Sequence, residues 1–71
     1  MKRFIIKWHK NERYFTPIER STEVQSTSAQ EALQTLMKNN GTLKEITIIE
    51  IQEINAKGEP IGEPIKPMDE Q

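Results

Sequence analysis

The stretch STSAQEALQTLMKNNG, Ser26 to Gly41, spells out one helix with a start and a stop. Ser28 followed by Glu31 predicts a capping box, in which the serine oxygen accepts from the Glu31 amide while the glutamate side chain reaches back to the serine amide. The helix then begins at Ala29. Ala29, Ala32, Leu33, Leu36 and Met37 recur at the spacing of a single helical stripe, against a polar face of Gln30, Gln34 and Lys38. Lys38 suits the negative end of the helix dipole, and Asn39-Asn40-Gly41 supplies residues that tolerate a left-handed cap, so the helix ends near Asn39 or Asn40. A helix of about three turns is not stable alone in water, so its stripe must cover something. The chain spells out no second helix, which leaves a sheet.

The flanks supply the strands. KRFIIKWHK alternates Phe4, Ile6 and Trp8 against Arg3, Ile5, Lys7 and His9, which predicts a half-buried strand over residues 2–10. A loose turn follows, reaching Tyr14 or Phe15. Residues 18–26 read as a second strand with Ile18, Thr22 and Val24 on one side; Arg20 on that side breaks the pattern, and Pro17 marks a strand start or a sheet edge. After the helix, LKEITIIEIQEIN is the strongest strand signal, with Ile46 and Ile48 on one parity, Ile49 and Ile51 on the other, and Ile54 back on the first. Either both faces of this strand are partly covered or a bulge near Ile48–Glu50 shifts the register. A turn is expected at Lys57–Gly58, followed by Gly-Glu-Pro-Ile written twice; prolines 60, 64 and 67 limit this segment to a short edge strand. The expected fold is α+β, a small and mostly antiparallel sheet of three or four strands in the order β-β-α-β with an optional short final strand and the helix on one face. Residues 1–65 form a single domain in this reading, and 66–71 a disordered tail.

Composition narrows the function. A chain of 71 residues has a thin core, since domains of this size bury only about 60% of the surface their unfolded chains expose, and help from a partner or a second copy is expected. There is no cysteine, so disulfides, thiolate metal sites and thiol nucleophiles are excluded, in keeping with a reducing, cytoplasmic setting. The basic start carries too short an apolar run for a signal peptide or a membrane span. Charge is unevenly placed: residues 1–15 carry a net +4 and residues 42–71 a net −4. The one histidine, His9, and the one aspartate, Asp69, cannot build a catalytic triad, and the three glycines stand too far apart to cradle a phosphate. The expectation is a protein that is not an enzyme, with no cofactor, no metal and no small-molecule substrate; Glu45, Glu50 and Glu53 read as a solvated strand face.

Two surfaces are candidates for binding. All four aromatics fall within residues 1–15 among five cations, and Lys7, Trp8, His9, Lys10, Arg13 and Tyr14 could stack on and neutralise single-stranded nucleic acid. Against this, Phe4, Ile6 and Trp8 share the parity that a strand buries, the glycine-containing sheet motif for RNA is missing, and His9 reads as a surface residue. The other candidate is Ile49 and Ile51, an isoleucine set with no helix left to cover it, which would serve a homodimer or a protein partner. Opposite charges at the two ends of the chain would assist such a contact. The succession of a short basic strand, a helix opening on Ser28, Glu31 and Ala32, and the strand Ile46–Ile54 resembles small proteins of bacteriophages and other mobile elements. That resemblance implies a bacterial or phage accessory protein of the cytoplasm and assigns no functional residue. The leading expectation is an interaction module that self-associates or binds a protein, ahead of nucleic-acid binding, with no membrane role.

Overall fold

A computed structural model describes residues 1–11, 16, 18–41 and 44–66. Three strands and one helix follow in the order β1 (Lys2–Lys10), β2 (Arg20–Ser26), α1 (Ala29–Asn40) and β3 (Ile46–Ile54). The sheet order is β2-β1-β3, and both pairings are antiparallel. β2 and β3 therefore run parallel to each other with β1 between them, and α1 is the crossover that joins them over one face. The α+β architecture and the bounds of β1 match the reading from sequence.

β1 is central because its alternation is complete. Phe4, Ile6 and Trp8 are buried toward the helix, while Arg3, Ile5, Lys7 and His9 are half-buried on the other face. Val24 pairs with Phe4 from one side, and Ile51 and Ile48 pair with Ile6 and Trp8 from the other. Above them sit Ala32 and Leu36, with Ala29, Leu33 and Met37 packed at the margin of the same cluster. The five-residue stripe is thus graded: two positions reach the centre and three seal its rim.

The isoleucine-rich strand resolves by a bulge. Trp8 pairs with Ile48 and Lys7 with Glu50, so Ile49 is the extra residue that opposes no partner. One added residue inverts the parity of everything after it. Ile46 and Ile48 before the bulge and Ile51 after it consequently share the helix-covered face, whereas Ile54 lies opposite Arg3 on the other.

The helix is closed by side chains at its start and by a backbone amide at its end. Ser28, in extended conformation, accepts from the Glu31 amide at 3.2 Å. The reciprocal arm of the expected capping box is absent: the Ser28 amide donates to Ser26 Oγ at 3.3 Å, and the Glu31 carboxylate accepts from Thr27 Oγ1 at 2.6 Å. Ser26 wins this competition because it is buried at the end of β2, beneath the helix start, where its hydroxyl also donates to the Ser28 carbonyl at 2.6 Å. At the other end the Gly41 amide donates to the Met37 carbonyl at 2.9 Å. Gly41 has φ +121° and ψ 172°, a region essentially reserved for glycine, and a β-carbon there would stand 3.0 Å from Glu45 Oε2.

Two expectations are corrected. β2 begins at Arg20, not at Ile18; its pairing stops at Trp8, and Ile18 lies beyond the ladder with 72% of its surface exposed. The optional fourth strand is reduced to two isolated bridges, Ile54 with Pro60 and Ile51 with Ile65. Residues 67–71, which make up most of the expected disordered tail, lie outside the described residues, as do residues 12–15 in the expected loop.

Two predictions follow from this packing. Leu36→Ala is expected to cost about 2–5 kcal/mol, the usual range for a fully buried leucine, and Leu33→Ala clearly less, as read by urea denaturation. Equal losses would place Leu33 in the core as well. Deleting Ile49 removes the bulge yet leaves Ile48, Glu50 and Ile51 in regular alternation, so that variant should fold with a loss of about 1 kcal/mol, the size of an ordinary substitution. Deleting Ile5 from β1 instead moves Phe4 to the opposite face from Ile6 and Trp8 and should abolish cooperative unfolding.

Candidate interaction surfaces

Among the described residues, the two aromatics of the front, Phe4 and Trp8, belong to the core. Trp8 is only 3% exposed, its indole Nε1–H donates to Thr22 Oγ1 at 2.9 Å, and the Arg20 guanidinium lies 5.8 Å from the ring centroid. Arg20, which breaks the pattern of β2 as a sequence, is the lid of the tryptophan, held by a cation–π contact. Phe4 is buried at the same depth. Neither ring is free to stack on a base. Lys7 faces Glu50 across β1 and β3 at 3.7 Å; His9 Nδ1 lies 3.1 Å from the Lys10 carbonyl oxygen, which accepts; Lys10 is exposed at the strand end. Arg13 and Tyr14 lie outside the described residues.

The uneven charge also finds its partners within the chain. Arg3 on β1 reaches Glu23 on β2 through Nε at 3.0 Å and Nη2 at 2.8 Å, and its Nη1 donates to the Ala56 carbonyl at 3.1 Å. With Lys7 and Glu50 this gives a basic central strand flanked by acidic neighbours. Of the opposite charges at the two ends of the chain, Lys7 and Glu50 are opposed within one molecule. These pairs are largely solvated and contribute about 0–1 kcal/mol each, so they fix strand register more than stability.

The proposed isoleucine surface divides. Ile51 is 4% exposed and belongs to the core, so it is no surface for a partner. Its sequence parity suggested the open face; the bulge returns it to the closed one. Ile49, the bulged residue, is half-buried and stands without its expected companion.

What remains distinctive is the contrast between the sheet's two edges. Beyond β3 the chain turns at Asn55, whose side-chain oxygen accepts from the Lys57 and Glu59 amides at 2.9 Å each. The Gly-Glu-Pro-Ile duplication then returns along β3. Each copy ends in an isoleucine whose amide donates to β3 at 2.8 Å, Ile61 to Glu53 and Ile65 to Ile51. Gly62, at φ +68°, takes up the slack between them, and Gln52 Nε2 reaches the Ile61 and Gly62 carbonyls at 3.2 and 3.3 Å. Pro60 and Pro64 carry no N–H with which to continue a ladder. This edge is closed. The tail, the helix start, β1 and β3 also border a notch of 190 Å³ whose lining mixes Phe4, Ile61 and Ile65 with Lys2, Glu53 and Glu63.

β2 has no such cover among the described residues. The direction of its backbone groups follows from the pairing. Ile51 exchanges both backbone bonds with Ile65, so its own N–H and C=O point away from β1. Ile6, opposite Ile51, therefore turns its groups toward Thr22, and alternation carries the pattern along β2. Arg20, Thr22, Val24 and Ser26 bond to β1, while Ser21, Glu23 and Gln25 present N–H and C=O to the outside. No sequence signal names these three, since the direction depends on pairing beyond the opposite edge. Among the described residues, no group of three or more His, Asp or Glu could hold a metal ion, and no helix is long and apolar enough to cross a membrane.

Ending the chain after Gly58 removes four backbone hydrogen bonds, three made by β3 (Ile61 with Glu53 and the Ile51–Ile65 pair) and one by Asn55 with Glu59. At a net of about 0.5–1.5 kcal/mol each, this should lower stability measurably and produce concentration-dependent aggregation through the bared edge. A chain ending at Lys66 keeps those bonds and should behave as the full protein in denaturation and light scattering.

No protein family, curated protein or solved structure matches this chain.

Proposed function

We propose that this protein is a non-enzymatic interaction module that takes a strand of a protein partner onto the edge of β2. The observation that carries the reading is the asymmetry of the edges: β3 is shielded by a proline-bearing return, while β2 offers the outward backbone groups of Ser21, Glu23 and Gln25 with no proline in the strand. Strand addition draws its affinity from such groups and needs no preformed pocket. A chain with so thin a core gains from any partner that extends the sheet. The resemblance to small proteins of phages and mobile elements makes bacterial and phage cytoplasmic proteins the first partners to test. Nucleic-acid binding is the weaker reading because Trp8 and Phe4 are buried and Lys7 faces Glu50.

An NMR titration separates the two. With a soluble strand-forming peptide of alternating threonine and valine, amide shifts and exchange protection should centre on Ser21, Glu23 and Gln25. With a single-stranded oligonucleotide at low salt, no saturable shift is expected. Oligonucleotide binding through Lys7, His9 and Lys10 that weakens steeply with salt would replace this reading with the other.

A further inference from the structure

We infer that Asn40 is a site of spontaneous covalent modification, a deamidation by the Gly41 backbone nitrogen that the folded helix end holds back and an opening of the last turn releases. The chemistry needs a side-chain amide next to a backbone nitrogen with little steric cover. The chain has four asparagines, at 11, 39, 40 and 55, followed in turn by Glu12, Asn40, Gly41 and Ala56. Only Gly41 leaves the attacking nitrogen without a β-carbon beside it.

In the reaction a hydroxide ion takes the Gly41 N–H proton, the nitrogen attacks Asn40 Cγ, and the new C–N bond closes a succinimide ring. The Cγ–Nδ2 bond breaks, and the departing Nδ2 takes a proton from water and leaves as ammonia. Water then splits the ring at either carbonyl. The product is aspartate or, with the main chain rerouted through Cγ, isoaspartate. The net change is a water consumed and an ammonia released, with no oxidation.

The structure engages both reacting groups. The Gly41 amide donates to the Met37 carbonyl at 2.9 Å, and Asn40 Nδ2 donates to the Leu36 carbonyl at 3.0 Å. Attack requires that the first bond break to free the nitrogen and that the second break to let the side chain turn toward it. Neither loss disturbs the core, since Leu36 and Met37 contribute only their carbonyls to these bonds. The gate is therefore the last turn of α1, which opens without unfolding the sheet. The product does not close again. A carboxylate has no N–H for the Leu36 carbonyl, isoaspartate adds a backbone carbon ahead of the Gly41 cap, and the new charge sits at the negative end of the helix dipole. Glu45, whose carboxylate lies beside Gly41, adds to that charge. Lys10 and Lys44 line the same 360 Å³ cavity as Asn40 and Glu45 and temper the repulsion, but they restore neither hydrogen bond.

The test incubates the full chain in mildly alkaline buffer, folded and in urea, and locates the added acid by digestion and mass spectrometry. Asn40 should convert before Asn11, Asn39 and Asn55. Its conversion should be roughly 5- to 150-fold slower in the folded chain, the span that two hydrogen bonds of ordinary net strength impose on an opening. Two variants identify the gate. Lys38→Gly loosens the last turn at an exposed position and should speed conversion severalfold. Val24→Ala weakens the buried core under β2, away from the helix end, and should leave the rate unchanged. If Val24→Ala does not fold, wild-type rates in urea below the unfolding transition give the same contrast, with a nearly flat dependence expected. Equal acceleration by both variants, or a rate that tracks global unfolding in urea, would overturn the local gate. Coincident rates in the folded and unfolded chain would remove the protection altogether, and earlier conversion at another asparagine would remove the site. An Asn40→Asp chain should unfold at lower urea than wild type; an unchanged midpoint would show that the helix end closes over the product and would overturn its one-way character.

Discussion

The bulge at Ile49 is the constraint on which the structure depends. A nine-residue strand carrying isoleucine on both parities has no stable place in a sheet with one covered face, because half of its apolar surface would face water. One unpaired residue between Ile48 and Glu50 changes the phase, and Ile46, Ile48 and Ile51 then close on Phe4, Ile6 and Trp8 from the same side. The same shift sends Glu50 to the outer face, where Lys7 lies across from it. Core formation and charge pairing on β3 are two results of a single backbone irregularity.

Placing β1 in the middle has a comparable reach. A central strand must pair on both sides, and this one carries Arg3 and Lys7 on the face away from the helix. The acidic residues of β2 and β3 are brought alongside, so that Arg3 meets Glu23 and Lys7 meets Glu50. The central strand thereby has one acidic neighbour on each side. The tryptophan of the same strand is closed off by groups of β2, a hydroxyl from Thr22 and the guanidinium of Arg20. Trp8, one member of the stripe that reads as a binding surface, lies in the seam between these two strands.

So small a sheet has few ways to protect its rims. The duplicated Gly-Glu-Pro-Ile segment protects one, since each repeat delivers an isoleucine amide to β3 and a proline that blocks further pairing. Nothing comparable is found along β2 among the described residues, and helix α1 leaves from the end of that strand to cross the covered face. What β2 presents outward is consequently the backbone groups of Ser21, Glu23 and Gln25.

Local sequence determined the elements. The helix from Ala29 with its serine cap, the strand over residues 2–10, and the stripe of Ala32 and Leu36 follow from periodicity and capping chemistry that act within a few residues. Sequence also confined the parity conflict of β3 to Ile48–Glu50 without resolving it, since a bulge and a doubly covered strand share one pattern. Tertiary structure decided what depends on a partner far along the chain: that Ile49 is the residue left out, that Ile51 is core, that Arg20 covers Trp8, and that Ser26 takes the place of Glu31 at the Ser28 amide. Side-chain chemistry and spacing are properties of a segment, whereas the direction of a strand's backbone groups is set only when its neighbours are in place. The open edge at Ser21, Glu23 and Gln25 belongs to the second kind, and for that reason no local pattern announces it.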